Sequence, residues 1–331
     1  MSIRSTMTQL LDFVVRRREC QVAPREWMIE TTSRCNLKCP MCPREKTSYP
    51  PEDMDLDFYR QLIMRHGQLE AVWPYGFGEP LLHPDIFEMI RWAKQKGKTV
   101  SLSTNATLLN RERAVSLLAS GLDYLILAVD GTNGVYAKNR FPAQLSDVER
   151  RIEDLLTLKV RMRSSLHVTL QLVRMMNNRD QVHGFRLRWK RPGVDAIRVR
   201  DDLSGIPGIS IERARRQARR RRPCFFLWRG PLFVEATGTV IPCPYYHGSA
   251  PFAEVRDHSA LEAWNSPAMK ALRAAHLTGD LSAHPICRNC PRHQPSRLLA
   301  GISFFVNTHH IRRIFPRLED IQRRLGLKFF E

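Results

Sequence analysis

The sequence predicts an α/β protein, with a partial (β/α)6 barrel of the TIM type followed by a small α+β domain. From residue 26 to about 203, short β-branched or apolar runs alternate with longer amphipathic runs, which is the pattern of βα units and a parallel sheet. We count six such units, fewer than the eight of a closed barrel, so we expect a barrel that is open on one side. Beyond residue 222 the runs become shorter and four cysteines follow, which indicates a second domain.

The predicted strands are short runs rich in β-branched and apolar residues. They cover residues 27–32, 71–77, 99–104, 124–129, 167–173 and 196–200. Pro84 is predicted to open the helix after the second strand, because a proline at the first helical position loses no needed hydrogen bond. Gly97 is predicted to close that helix.

The remaining segments are assigned from composition and turn signals. The predicted order is a basic helical extension over 1–25, the barrel over 26–203, an arginine-rich linker helix over 204–222, the small domain over 223–295 and basic amphipathic helices over 296–331. In the small domain, the pair Thr237-Gly238 separates two apolar runs, which is typical of a β-hairpin over 232–242. Residues 259–276 are predicted to form one helix.

Composition narrows the class of protein. A hydrophobic content of 43% over 331 residues is ordinary for a folded protein, and no apolar run approaches the roughly 18 to 20 residues that span a bilayer. We therefore expect a cytoplasmic protein. A formal charge of +19 suggests an anionic partner, although arginine runs such as 16–18 and 213–222 are also consistent with solvated faces.

Cysteine usage points to metal rather than to disulfides. Eight cysteines in a cytosolic chain of this length do not suit a disulfide framework, which belongs to oxidising compartments. One cysteine, Cys20, stands alone and is interpreted as a free thiol with no assigned role. The others form two groups and so indicate two metal sites: Cys35, Cys39 and Cys42, and Cys224, Cys243, Cys287 and Cys290.

The first group has the spacing C-x3-C-x2-C directly after the first predicted strand. A 4Fe-4S cluster normally takes four cysteines, so Cys35, Cys39 and Cys42 would leave one iron open to another ligand. The alternatives on spacing alone are a zinc site or three buried cysteines. Further motifs follow the next strands, with Gly78-Glu79-Pro80 after the second and Ser103-Thr104-Asn105 after the third.

Together these motifs resemble the radical S-adenosylmethionine (SAM) superfamily, in order along most of residues 26–203. The resemblance implies that the first 4Fe-4S cluster binds SAM, that Glu79 accepts hydrogen bonds from the SAM ammonium, and that Gly78 lets the backbone approach closely. It implies that Ser103 and Asn105 contact the ribose or the carboxylate of SAM. For Asn105, a turn and helix cap is an alternative that is compatible with this role.

The resemblance extends to three further positions. Asp130-Gly131 ends the fourth strand, but Ala128 stands where similar enzymes often have serine, so one expected polar contact is missing. Arg140 is implied to bind the SAM carboxylate, with a surface salt bridge as the alternative. Gln171 on the fifth strand either faces the barrel or fills a hydrogen-bonded core position.

The second group of four cysteines can close a site completely. A structural zinc site with four cysteines is one interpretation of Cys224, Cys243, Cys287 and Cys290. Their order, with Gly238 five positions before Cys243 and a Cys-x2-Cys after a helix, resembles the auxiliary-cluster domains called SPASM and Twitch. Ser296 and the absence of later cysteines are closer to the shorter Twitch form, which implies one auxiliary 4Fe-4S cluster.

These resemblances imply an enzyme that cleaves SAM to a 5'-deoxyadenosyl radical and removes a hydrogen atom from its substrate. We expect oxidation of a small molecule or a peptide side chain, with the auxiliary cluster as electron acceptor and a flavodoxin or ferredoxin as electron donor. The alternatives are a redox-neutral radical reaction such as epimerisation, and a non-enzymatic iron-sulfur or zinc protein that binds nucleic acid. The basic tail 298–330 either packs on the chain itself or makes peripheral membrane contact.

Overall fold

Six strands in the order β6-β5-β4-β3-β2-β1 form the sheet of a partial barrel in the computed structural model. Residues 3–47, 50–201, 222–290 and 297–305 are described by the structure. They divide into a barrel unit of residues 28–47, 50–201 and 234–237, and a second unit of residues 3–27, 222–233, 238–290 and 297–305. The pairs from β2 to β6 are parallel, and the barrel is unclosed, as predicted.

The strands and helices alternate along the barrel unit. The strands are β1 (Glu26–Ile29), β2 (Ala71–Trp73), β3 (Thr99–Thr104), β4 (Tyr124–Ala128), β5 (His167–Arg174) and β6 (Ala196–Asp201). After the N-terminal helix α1 (Ile3–Val14), the helices between the strands are α2 (Leu56–Arg65), α3 (Ile86–Gln95), α4 (Arg111–Ala119), α5 (Asn133–Asn139), α6 (Leu145–Arg161) and α7 (Val182–Trp189).

The two faces of the barrel sheet differ in polarity. Leu102, Leu125 and Leu170 are fully buried on one face, as expected where helices cover a parallel sheet. Because side chains alternate along a strand, Ser103 and Thr169 lie on the opposite face, in register with each other through β4. Ser103 and Thr169 therefore give the inner face of the barrel hydroxyl groups.

Two elements near the second strand differ from the prediction. β2 ends at Trp73 instead of continuing to residue 77, because Pro74 cannot donate to a ladder and the chain turns there. The following helix begins at Ile86 with Asp85 at its N-cap, so the prediction that Pro84 opens it is wrong by two positions. Gly97, with a φ of 70°, closes the helix as predicted.

The second unit contains short elements. They are α8 (Phe226–Arg229), β7 (Leu232–Val234), β8 (Thr239–Ile241), β9 (Ala253–Glu254), α9 (Ala260–Trp264), α10 (Pro267–Thr278), α11 (Pro285–Arg288) and α12 (Arg297–Phe305). β7 and β8 are neighbours on either side of Thr237-Gly238, and Gly238 has a φ of 98°, which confirms the predicted hairpin.

The single helix predicted over 259–276 is wrong, because the chain forms α9 and α10 with a break between them. Ser266 caps α10 by accepting a hydrogen bond from the Met269 amide at 3.2 Å, and Pro267 occupies the first turn. Asn265 in the break holds both the amide and the carbonyl of Cys20, at 2.8 and 2.7 Å. The break therefore anchors the segment around Cys20, which is buried.

Several predictions concern residues outside the described ranges. The linker helix predicted over 204–222 lies outside them except for residue 222, and so does the basic tail except for α12. The domain boundaries drawn from the sequence stay predictions. None of the helices in the described ranges is both long enough and apolar enough to cross a membrane, and the cytoplasmic location stays a prediction.

Candidate active site

The three cysteines of the first group lie on one hydrogen-bonded loop after β1. The amide of Cys42 donates to the carbonyl of Cys39 at 2.9 Å, and the amide of Lys38 donates to the carbonyl of Phe141 at 2.7 Å. Cys39 is buried, while Cys35 and Cys42 are half-buried. The loop thus brings the three predicted ligands together and leaves part of the group accessible.

The environment of this loop disfavours free thiolates. Burial raises the pKa of the Cys35 thiol to about 11, and the charges of Glu79 and Cys39 also raise it. Burial raises the pKa of Cys39 and Cys42 as well. Metal binding requires the thiolate and stabilises it, so these sulfurs suit a positively charged group. Within the described ranges, no three His, Cys, Asp or Glu side chains are close enough together to hold a single metal ion. A 4Fe-4S cluster does not require this, because each thiolate binds a different iron.

Gly78 allows the loop after β2 to touch the base of the cysteine loop. A Cβ atom at this position would lie 1.9 Å from the carbonyl oxygen of Thr32 and 2.8 Å from that of Arg34. The neighbouring amide of Glu79 donates to the same Arg34 carbonyl at 2.8 Å. The two loops are therefore in backbone contact immediately before Cys35, and only glycine fits there.

Glu79 connects the ends of β2 and β3. Its Oε1 atom accepts hydrogen bonds from the Leu81 amide at 3.1 Å and the Thr104 hydroxyl at 2.6 Å, and Oε2 accepts from the Asn105 amide at 2.8 Å. The side chain is buried, and burial raises the pKa of its carboxyl group. A carboxylate has about four acceptor positions, so three protein donors leave about one for a ligand.

Asn105 connects the end of β3 to the cysteine loop. Its Oδ1 atom accepts from the Thr107 amide at 2.9 Å, which makes a local turn, while Nδ2 donates to Asn36 at 3.1 Å and lies 4.0 Å from the Cys35 sulfur. The turn interpretation of Asn105 is right but the helix-cap interpretation is wrong, since Asn110 caps α4. Ser103 is half-buried on the inner face of β3.

Asp130 and Arg140 form a buried ion pair at the end of β4. Arg140 Nη2 lies 2.5 Å from Asp130 Oδ2, and Asp130 Oδ1 accepts from the Val173 amide at 2.7 Å. Arg140 Nη1 also approaches the Cys39 sulfur at 4.0 Å. Burial alone would lower the pKa of Arg140, but Asp130 and Cys39 raise it above its ordinary value. Arg140 is thus not in a surface salt bridge, and its guanidinium joins β4 to the cysteine loop.

Gln171 lies on the inner face of the barrel sheet. It is buried and occupies a cross-strand row with Ala128 on β4 and Arg198 on β6. Ala128, which replaces the serine expected from the resemblance, leaves this row without a hydroxyl. Of the two interpretations of Gln171, the structure favours the side chain that faces the barrel interior.

Sequence reasoning missed two residues of this site. The Thr104 hydroxyl donates a hydrogen bond to Glu79. The Asn36 side chain accepts a hydrogen bond from the Asn105 side-chain amide and donates one to the Thr107 hydroxyl at 2.7 Å. Both residues lie inside motifs that the sequence showed, Thr104 between Ser103 and Asn105 and Asn36 directly after Cys35. The signal was therefore present, but their partners depend on how neighbouring loops meet.

The second group of cysteines also comes together. All four are half-buried. Burial raises the pKa of Cys243, and the charges of Cys224, Cys287 and Cys290 raise it further, so these three cysteines lie within electrostatic range of Cys243. Tyr246 places its hydroxyl 3.4 Å from the Cys287 sulfur. Four thiols from three segments of the second unit, with Cys287 and Cys290 on the same one, are therefore available to close one site.

Comparison with known proteins matches a different family model to each of the two cysteine groups. Residues 29–171 match the family model of the Radical SAM superfamily, and residues 224–291 match that of SPASM, an iron-sulfur cluster-binding domain. The first match includes the loop of Cys35, Cys39 and Cys42, and the second includes the other group of four cysteines.

Curated relatives and solved structures show the same likeness. A tungsten-containing aldehyde ferredoxin oxidoreductase cofactor-modifying protein of Pyrococcus furiosus is 34% identical over 105 residues, which are 31% of this chain and 30% of the relative. The chain thus covers less than a third of that protein. A PqqA peptide cyclase of Xanthomonas euvesicatoria pv. vesicatoria is 23% identical over 313 residues, 82% of this chain and 81% of the relative. The structure of native anSMEcpe with bound AdoMet and Cp18Cys peptide matches with a TM-score of 0.57 at 16% identity, over 91% of this chain and 99% of that one.

Proposed function

Because the chain is a radical SAM protein with a C-terminal iron-sulfur cluster-binding SPASM domain, we propose that it uses SAM to remove a hydrogen atom from a peptide. The observation that carries this proposal is the connected set of loops after β1 to β4. Asn105 there contacts both the Glu79 carboxylate and the Cys35 sulfur, and Arg140 approaches the Cys39 sulfur. A radical SAM domain implies a 4Fe-4S cluster and SAM, and a SPASM domain implies auxiliary iron-sulfur binding.

Each residue of the first site has a proposed role. Cys35, Cys39 and Cys42 hold the first cluster through three irons and leave the fourth open to SAM. When bound, the cluster and SAM supply a 5'-deoxyadenosyl radical that takes a hydrogen atom from substrate. Glu79 uses its remaining acceptor position for the SAM ammonium. Gly78 lets the backbone of this loop lie close to the bound SAM.

The remaining polar residues position SAM and its cluster. Ser103 and Asn105 face the ribose or carboxylate, and Asn105 also donates towards the Cys35 sulfur. Arg140, held by Asp130, presents a positive charge to the Cys39 sulfur and to the SAM carboxylate. Gln171 faces the barrel interior, where it contacts SAM or substrate.

We assign one auxiliary 4Fe-4S cluster to Cys224, Cys243, Cys287 and Cys290. Four thiolates occupy all four irons, so this cluster has no open position for a substrate atom. Its role is then electron transfer, and the proposed outcome is net oxidation of the substrate. Electron delivery from an acidic flavodoxin or ferredoxin is favoured by the formal charge of +19.

A peptide is the proposed substrate class because of the relatives. One is a PqqA peptide cyclase that aligns over most of both chains, and one structural neighbour holds a peptide beside AdoMet. The polar inner face of the barrel, with Ser103, Thr169 and Gln171, supports a substrate that forms hydrogen bonds. A small-molecule substrate would make the same use of that face.

The test follows hydrogen from substrate to product. The reconstituted protein is given SAM, dithionite and deuterated candidate peptides, and 5'-deoxyadenosine is analysed by mass spectrometry. We expect deuterium in 5'-deoxyadenosine from wild type and from Cys20→Ala, and none from Cys35→Ala. A peptide product lighter by one pair of hydrogen atoms supports oxidation, and one of unchanged mass supports a redox-neutral reaction.

Two results would contradict the proposal. Unlabelled 5'-deoxyadenosine with every peptide would exclude hydrogen abstraction from a peptide. Tight binding of polynucleotide that weakens steeply with salt, without SAM cleavage, would favour the nucleic-acid-binding alternative.

A further inference from the structure

The N-terminal helix α1 buries polar side chains. Thr6, Gln9 and Asp12 are the buried residues of this helix. Gln9 Nε2 donates to the carbonyls of Trp228 and Arg229 at 3.1 and 3.0 Å, which satisfies the amide. Asp12 accepts a hydrogen bond from the Gln21 amide at 2.7 Å. Hydrogen bonds from buried polar side chains therefore help to fix α1 to the rest of the second unit, together with the Phe13 ring, which lies 6.2 Å from the Trp228 ring.

Apolar side chains of α1 are exposed instead. Ile3, Met7, Leu11 and Val14 have exposed fractions of 74%, 48%, 46% and 62%. Their spacing of four, four and three residues places them on one face of the helix. This polarity is the reverse of what an ordinary surface helix shows, because burial of apolar side chains normally supplies the attachment.

Helix α12 lies beside α1 and adds a second exposed stripe. The rings of Phe13 and Phe304 are 5.5 Å apart, and a Cβ at Gly301 would lie 3.8 Å from the Leu10 side chain. The exposed residues of α12 again share one face. They are Leu298, Ile302 and Phe305, with exposed fractions of 74%, 50% and 45%.

The two stripes are neighbours. On the helical wheel of α1, Leu10 lies next to the exposed face, and on that of α12, Gly301 lies next to Leu298 and Phe305. Since Leu10 and Gly301 are in contact, the exposed faces adjoin along the helix pair. We call this surface the apolar face; its residues are Ile3, Met7, Leu11, Val14, Leu298, Ile302 and Phe305.

The charges around the apolar face favour an anionic partner. Arg4 and Arg18 are exposed and Arg16 is half-exposed at the two ends of α1, while Arg17 pairs with Asp12 at 3.4 Å. The chain as a whole has a formal charge of +19. Such charge repels a second copy of the same chain and attracts an anionic surface. Apolar side chains flanked by arginine are the features with which an interfacial helix binds anionic lipid.

We propose that the apolar face docks the protein on an anionic lipid surface, with the flanking arginines at the headgroups. This binding site is separate from the chemistry proposed above and does not depend on it. Insertion of α1 and α12 would bury seven apolar side chains that are otherwise exposed to water. The partner is the headgroup and acyl boundary of a bilayer, so neither helix has to span it.

The test is co-sedimentation of the reconstituted full-length protein with vesicles. One set contains phosphatidylcholine alone, and the other contains phosphatidylcholine and phosphatidylserine. We expect binding to the anionic vesicles that weakens as salt increases. Met7→Ser with Leu11→Ser should weaken binding by about tenfold for each side chain, and Arg4→Gln with Arg18→Gln by about fivefold for each charge.

The matched control changes two apolar side chains of similar exposure in the barrel unit. Met64→Ser with Leu187→Ser, at exposed fractions of 61% and 63%, should bind anionic vesicles like wild type. Equal binding of wild type and the Met7/Leu11 variant overturns the proposal. So does a self-associating wild type that this variant makes monomeric, since a second copy then covers the face. A lower Tm of the variant with unchanged vesicle binding also overturns it, because the chain itself then covers these residues.

Discussion

Replacing Gly78 by alanine perturbs the contact between the loop after β2 and the cysteine loop. The new Cβ would lie 1.9 Å from the Thr32 carbonyl oxygen, whereas a carbon and an oxygen in contact are about 3.3 to 3.6 Å apart. The backbone must therefore move by about 1.5 Å. The obstacle is backbone and not a flexible side chain, so neither partner can rotate away.

The free-energy change follows from this geometry. Overpacking a well-packed site typically costs about 1 to 3 kcal/mol, and a clash with backbone belongs at the upper end. We expect Gly78→Ala to lower the free energy of unfolding by about 3 kcal/mol, which corresponds to roughly 6 to 12 °C in Tm for a unit of this size. Because Thr32 and Arg34 directly precede Cys35, the shift should also lower iron uptake at the first site.

The assay combines urea unfolding of the metal-free protein with iron analysis after reconstitution. The matched control is Gly184→Ala in α7, where a Cβ would meet nothing within 4 Å. That variant should keep its iron and gain up to about 1 kcal/mol, since alanine favours helix. Wild-type stability and iron content in Gly78→Ala would refute the reasoning.

Three further predictions concern single contacts. Arg140→Gln leaves the buried Asp130 carboxylate without its cation and should lower the free energy of unfolding by about 3 to 5 kcal/mol. Urea unfolding should show that adding Asp130→Asn restores part of the lost stability, and a double variant as unstable as Arg140→Gln would contradict the pairing. Tyr246→Phe removes a donor to the Cys287 sulfur and should make the reduction potential of the second cluster more negative in a redox titration followed by EPR, whereas an unchanged potential would argue against that hydrogen bond. Burial raises the pKa of Asp53, but hydrogen bonds from a guanidinium and a hydroxyl lower it more, so the net pKa is below its ordinary value. The stability that the Asp53 carboxylate gives the folded state should be fully present above about pH 4 and lost as the pH falls further. In a series of urea unfolding curves at different pH values, Asp53→Asn should reduce the loss of stability at acid pH, and the same acid dependence as wild type would contradict this.

Features set by local chemistry could be predicted from the sequence. β3 was predicted with its observed limits, Thr99–Thr104, because its β-branched residues are bounded by Lys98 and the turn-forming Asn105. The spacing of the cysteines and the glycine of the Gly78-Glu79 pair likewise express local requirements of a cluster loop and a close backbone contact.

Features set by distant contacts could not be predicted. The hydrogen bonds that Glu79 receives from Thr104 and Asn105 depend on how two loops meet. The buried polar face of α1 depends on carbonyls more than 200 positions along the chain, at Trp228 and Arg229. The helix break before Pro267 was missed for a local reason, because periodicity was given more weight than a proline and its cap.

The central claim is that two cysteine groups hold two 4Fe-4S clusters, the first of which cleaves SAM. The most direct measurement counts iron and sulfide in anaerobically reconstituted wild type and in the Cys35/Cys39/Cys42 triple alanine variant, and then adds dithionite and SAM. We expect about eight irons in wild type and about four in the variant, with 5'-deoxyadenosine formed by wild type alone. Zinc in place of iron, or a fully loaded wild type that does not cleave SAM, would contradict it.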